Sequence, residues 1–197
     1  MKTIGITGGV GAGKSLVLDY IKKHYRAKVY LADEIANTLK LPGNLCYRDI
    51  VSLLGEDVLC EDKTIDKNKM AEKIFSQKDL LEKVNAIIHP AVKQFVLSEI
   101  EQERKNGEID FFVFEAALLI EDHYDQILDE LWYVYANPDV RANRLKESRN
   151  YSEEKIAGIM SSQLSEEAFR KHCKVMINND SDLEYLYFQI DSHLEEE

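Results

Sequence analysis

Gly8-Gly9-Val10-Gly11-Ala12-Gly13-Lys14-Ser15 decides how this chain is read. The stretch fits G-x-x-x-x-G-K-[ST], the pattern of a loop that wraps polyphosphate. Four of its eight residues are glycine, so the backbone can take positive φ and close around a ligand without Cβ clashes. Successive N–H groups then point inward and make an anion nest. Lys14 supplies a mobile charge for the outer phosphates, and Ser15 a hydroxyl for Mg²⁺. The flanks supply the context. Residues 2–7 predict a short buried strand, and residues 15–23 a helix with Leu18 and Ile21 on one face. That helix adds unpaired N–H groups and its positive dipole end. The expected nucleotide contacts are Gly9, Val10, Gly11, Ala12, Gly13, Lys14, Ser15 and Leu16, with Ser15 as metal ligand.

The chain has 197 residues, enough for one domain with a substantial core. Hydrophobic content of 45% and charged content of 31% suit a soluble globular protein. The formal net charge of −11 argues against a general nucleic-acid binder, which needs long-range attraction to phosphate. Cys46, Cys60 and Cys173 are odd in number, widely spaced and without C-x-x-C. That pattern argues against a disulfide framework or zinc site and fits a reducing cytosol. No charged leader precedes a long apolar run, and no apolar run approaches a membrane span. A cytoplasmic protein without a membrane partner is expected, as a monomer or weak homo-oligomer.

Further along, residues 28–32 predict a second strand with Asp33 at its C-terminal end, where ligands bind in open parallel sheets. Residues 47–54 predict a short helix stopped by Gly55. From Asp66 to Lys105 the apolar spacing is helical, and Pro90 predicts one helix ending near His89 and another starting at Pro90. Such a long helical stretch exceeds a simple crossover and reads as an insertion with its own task. Residues 111–114 predict a central strand ending in Glu115, residues 131–135 a fourth strand and residues 174–177 a fifth. Asn137-Pro138, Ser152 and Ser165 predict helix starts, and Ser181-x-x-Glu184 a capping box for the last helix. The fold expected is α/β: a P-loop NTPase with a five-stranded parallel sheet flanked by helices. The core is placed at about residues 1–33, 106–140 and 173–197, with a helical insertion at about 34–105 and a helical, net-positive segment at about 141–172.

A phosphate loop alone does not separate a switch, a motor and a kinase. A guanine-reading N-K-x-D is missing, because Asn68-Lys69 is followed by Met70-Ala71. A kinase acting on a hydroxyl needs a base and cationic cover for the transferred group. Asp33 is the candidate base, and equally a candidate N-cap. Between Asp139 and Lys174 eight cations, among them Arg141, Arg144 and Arg149, stand against six carboxylates. Arginines there could clamp phosphate, or pair along solvated helix faces as in Glu167–Lys171. Glu115 is either near the Mg²⁺ shell or a polar strand end. Kinases of other acceptors, such as nucleotides or nucleosides, and a non-catalytic nucleotide-binding module remain open on these residues.

The ordered set of motifs resembles the dephospho-coenzyme A kinase family over nearly the whole chain. It comprises Thr7 to Ser15, Ala32-Asp33-Glu34-Ile35-Ala36, Pro42-Gly43, His89-Pro90, residues 117–121 (Ala-Leu-Leu-Ile-Glu), Arg144-Leu145 with Arg149, Gln163 and Asn179. The resemblance implies ATP-dependent phosphorylation of the ribose 3′-hydroxyl of dephospho-coenzyme A, the last step of coenzyme A synthesis, with ATP and Mg²⁺. By position it implies Asp33, Lys14, Arg144 and Arg149 as catalytic residues, Thr7, Asp33 and His89 as substrate residues, residues 34–105 as a helical substrate-binding insertion and residues 141–172 as a helical lid. Three positions depart from the family pattern: Leu31 replaces an Asp, Ala117 a Pro, and Cys173-Lys174 an Ala-Asp.

Overall fold

The computed structural model describes residues 1–195, without the side chain of Lys78. It divides into two compact units: among the described residues, 1–30 with 106–195, and 31–105.

The first unit is built on β1 (Lys2–Thr7), with α1 (Lys14–His24) following the glycine loop. The sheet runs β2-β3-β1-β4-β5, with β2 at Ala27–Leu31, β3 at Phe111–Glu115, β4 at Glu130–Tyr135 and β5 at Val175–Asn178. The pairings β1–β3, β1–β4 and β4–β5 are parallel, with Ile4 opposite both Val113 and Glu130. β1 therefore has a strand on each side, and its residues have no solvent face. Ile4, Ile6, Thr3 and Thr7 are all fully buried, as are Phe112, Val113, Phe114, Trp132 and Val134. This is the near-continuous apolar signature of a parallel sheet covered on both faces. α1 buries Val17, Leu18 and Ile21, and α9 (Leu183–Leu194) buries Leu186, Ile190 and Leu194. The two helices meet through stacked Tyr20 and Tyr187, with ring centroids 4.0 Å apart, and Asp191 accepts from the hydroxyls of Tyr20 and Tyr25.

One buried ionic group crosses the sheet's lower half. Glu130 accepts from Trp132 Nε1 at 2.6 Å and pairs with Lys2 Nζ at 2.9 Å and Lys174 Nζ at 3.0 Å. Burial by itself raises its carboxyl, but the three donors outweigh that and hold it below the usual 4.5.

Between β4 and β5 stand α6 (Pro138–Arg149), α7 (Glu153–Ser161) and α8 (Glu166–His172). Asn137, Ser152 and Ser165 cap them, each side chain accepting a backbone N–H from the first turn. The second unit holds α2 (Ala32–Leu39), α3 (Tyr47–Leu54), α4 (Lys67–Ser76) and α5 (Lys78–Asn106). Gly55 ends α3 at φ 88°.

Three local expectations are corrected. α5 runs unbroken through Pro90 for 29 residues. Proline deletes one i→i−4 bond, but Val84, Ala91, Val92, Val96 and Ile100 form one buried stripe that stays in phase across it. The last helix is capped by Asp182, whose Oδ1 accepts from Tyr185 N at 2.8 Å, and not by Ser181. Aspartate is as good a cap as serine, and it lies nearer the first helical residue. Asp33 is neither at a strand end nor a cap. α2 begins at Ala32, two residues earlier than that reading needs, so Asp33 is exposed in its first turn, where the helix dipole favours a carboxylate.

Candidate nucleotide site

The glycine loop leaves β1 between β3 and β4, a point where connections depart to opposite sides of the sheet. Two of its glycines are required by contact. At Gly8, φ is 146° and a Cβ would lie 2.4 Å from the Val134 carbonyl oxygen. At Gly13, the left-handed N-cap of α1 with φ 91°, a Cβ would lie 2.1 Å from Asn179 Nδ2. Asn179 follows β5 directly and is buried. Its Nδ2 donates to Ala12 O at 2.8 Å. Arg144 of α6 donates from Nη2 to Asn179 O at 2.9 Å, and its Nη1 lies 3.5 Å from Ala12 O. The end of β5 and the body of α6 are thereby fixed to one carbonyl of the loop, that of Ala12.

Lys14 Nζ folds back to Gly8 O at 2.9 Å and lies 3.5 Å from Glu115 Oε1 at the end of β3. A charge set between a neutral carbonyl and a carboxylate can swing to an incoming phosphate without leaving the site. Arg141 completes the constellation. Its Nε donates to Val10 O at 2.9 Å, and its Nη2 donates to Gln163 Oε1. Burial lowers the guanidinium from its ordinary value, opposed by neighbouring Tyr133, which burial in turn pushes up to about 12. Ser15 and Leu16 are exposed on the first turn of α1. Thr7 is fully buried, its hydroxyl 3.5 Å from Ala117 O.

A family model described as Dephospho-CoA kinase matches residues 2–184. The dephospho-CoA kinase of Listeria monocytogenes is 33% identical over 196 residues, covering 98% of this chain and 96% of that protein. That of Fusobacterium nucleatum is 34% identical over 192 residues with the same coverages. The chain belongs to the dephospho-CoA kinase family. Solved structures share the fold. A Thermus thermophilus protein gives a TM-score of 0.81 at 24% identity, covering 99% of this chain and 97% of that one. The dephospho-CoA kinase of Campylobacter jejuni gives 0.73 at 21%, covering 100% and 97%. Shikimate kinase from Acinetobacter baumannii gives 0.53 at 11%, covering 99% and 92%. The α/β P-loop kinase fold is thus the fold of this family member.

Of the cationic segment in this dephospho-CoA kinase family member, Arg141 and Arg144 bond to the loop. Most of the others have partners elsewhere. Lys146 meets Glu153 at 2.6 Å, Arg170 meets Glu166 at 2.7 Å, and Lys174 meets Glu130. Arg149 is exposed, its guanidinium 5.9 Å from the Tyr151 ring, and Lys155 covers the same ring at 3.7 Å. Asp33 and His89 belong to the second unit, on α2 and in the middle of α5. Arg141 and Asn179 are the residues whose direct contact with the loop was least visible in sequence. Arg141 stood among eight similar cations, and only its bond to Val10 distinguishes it. Among the described residues no cluster of three or more His, Cys, Asp or Glu is arranged for a metal, and no helix is long and apolar enough to cross a membrane.

Proposed function

We propose that this chain transfers the γ-phosphoryl group of ATP to the ribose 3′-hydroxyl of dephospho-CoA, giving CoA and ADP. The observation that carries the reading is a loop of the phosphate-binding pattern with Lys14 poised on it, in a chain matched to the dephospho-CoA kinase model over residues 2–184. The loop N–H groups and Lys14 hold the phosphates. Arg144 and Arg149, with residues 141–172 as a lid, cover the transferring group and exclude water. Residues 34–105 hold the acceptor, with Thr7 and His89 as further substrate contacts.

Asp33 accepts the hydroxyl proton as the acceptor oxygen bonds to the γ-phosphorus and the bond to the β–γ bridging oxygen breaks. Its exposure in the first turn of α2 leaves the carboxylate open to a ligand. Mg²⁺ fits a site that supplies the Ser15 hydroxyl and few carboxylates, since this ion keeps waters and takes phosphate oxygens as ligands. Bound there, it would neutralise charge on the β- and γ-phosphates. The setting is a cytoplasmic monomer or weak homo-oligomer that binds no nucleic acid, in keeping with the net charge of −11.

An acceptor screen tests the reading. With MgATP, ADP should form rapidly with dephospho-CoA and far more slowly with nucleoside monophosphates. Equal rates with a nucleoside monophosphate would assign a different acceptor. Asp33→Asn should keep ATP binding and lose about 100-fold or more in turnover. Near-normal turnover in that variant removes the base assignment.

A further inference from the structure

The second unit contains a pocket of about 220 Å³ lined by the C-terminal end of α2 and the residues just after it, by Thr64 and Ile65, and by the start of α4. Lys40 and Lys67 both face it, with Asn37, Thr38 and Thr64 as polar neighbours and Leu41, Ile65 and Met70 as apolar wall. Elsewhere in the same unit a lysine is matched directly: Lys73 Nζ lies 2.7 Å from Asp57. Lys40 and Lys67 have no such match among the described residues. Lys40 is instead held below its ordinary lysine value, first by burial and then by the like charge of Lys67, with Asp33 and Cys46 opposing. Burial of the Lys40 ammonium, with the like charge of exposed Lys67 also lining the cavity, raises the energy of the empty site. A bound dianion relieves both costs.

The geometry of α2 relates this pocket to Asp33. Residues 33, 37 and 40 follow i, i+4, i+7 and fall on one helix face. Asp33 and Lys40 are about 10 Å apart along the axis, from ~1.5 Å per residue. In the proposed acceptor, the 3′-hydroxyl and the 5′-diphosphate branch from adjacent ribose carbons toward opposite faces of the ring, and the pantetheine arm continues from the diphosphate. A helix face with a carboxylate at one end and a cation pair beside an apolar wall at the other matches that order. The pocket is below the roughly 300–1,000 Å³ of sites that enclose a whole drug-sized ligand, so it suits one portion of the acceptor. Asp66 already takes the backbone N–H groups of Asn68 and Lys69, which leaves the side chains as the anion donors.

We propose that Lys40 and Lys67 form the subsite for the diphosphate of dephospho-CoA, with Leu41, Ile65 and Met70 receiving the start of the pantetheine arm. This rests on the functional reading above. The test uses the full chain with Lys40→Met, Lys67→Met and the double substitution, which keep the aliphatic stems. Each single change should raise KM for dephospho-CoA about 10-fold and the double change ~50-fold or more. KM for ATP, and kcat at saturating acceptor, should stay within about two-fold. Lys40→Arg should restore most of the loss. Calorimetric binding of dephospho-CoA should weaken in parallel, while thermal midpoints confirm that the variants fold. A wild type that phosphorylates dephospho-CoA, with KM for it unchanged in the folded double variant, overturns this proposal alone. A wild type that leaves dephospho-CoA unphosphorylated removes the functional reading and this proposal with it.

Discussion

At Gly8 the chain has no room for a side chain. The added methyl of Gly8→Ala would press on the Val134 carbonyl at a φ that L-residues rarely adopt. The expected cost is about 2–3 kcal/mol of stability, read by urea denaturation, with loss of ATP binding. Glu130 makes a different residue-scale prediction. Its folded carboxyl lies below the ordinary 4.5, so its contribution is complete above that value and fades as pH falls through the lowered one. Glu130→Gln should destabilise at pH 7 by about 1–3 kcal/mol, because Lys2 and Lys174 lose their shared partner. The variant should also lose less stability than wild type on going from pH 6 to 3, measured by denaturant midpoints at each pH.

The elements divide by how locally their causes are written. Starts at Asn137, Ser152 and Ser165 were legible because a cap and its first-turn partner lie within three residues. The strands were legible as apolar runs, and the glycine loop as a pattern. The path of α5 was not, because a proline's local penalty was outweighed by a buried stripe that extends on both sides of it. The placement of Asp33 shifted because nothing local stops α2 from starting at Ala32. Arg144 stood out only through the family motif and Arg141 not at all, since their partners Val10, Ala12 and Asn179 come from distant parts of the chain. α5 also yields a prediction. Pro90 is exposed within the helix, and Pro90→Ala should restore a backbone bond and stabilise by about 1–3 kcal/mol in urea denaturation.

At the scale of the whole molecule, a ligand that binds only the folded chain must stabilise it. At 100 times its dissociation constant, MgATP should contribute ~2.7 kcal/mol and raise the thermal midpoint by roughly 5–10 °C. Lys14→Met should abolish most of that rise, while its midpoint without nucleotide stays near wild type. The sheet order carries a further consequence, for synthesis on the ribosome. Strand β1 is made first, yet its neighbours are β3 and β4, and Thr3 binds Asp129 across a separation of 126 residues. The bond from Asn179 to Ala12 spans 167. Contacts so distant in sequence close slowly, so the emerging chain must carry its central strand unpaired until β3 and β4 have been translated. The nucleotide loop, made before every strand but β1, gains its buried asparagine clasp only after β5 has been made.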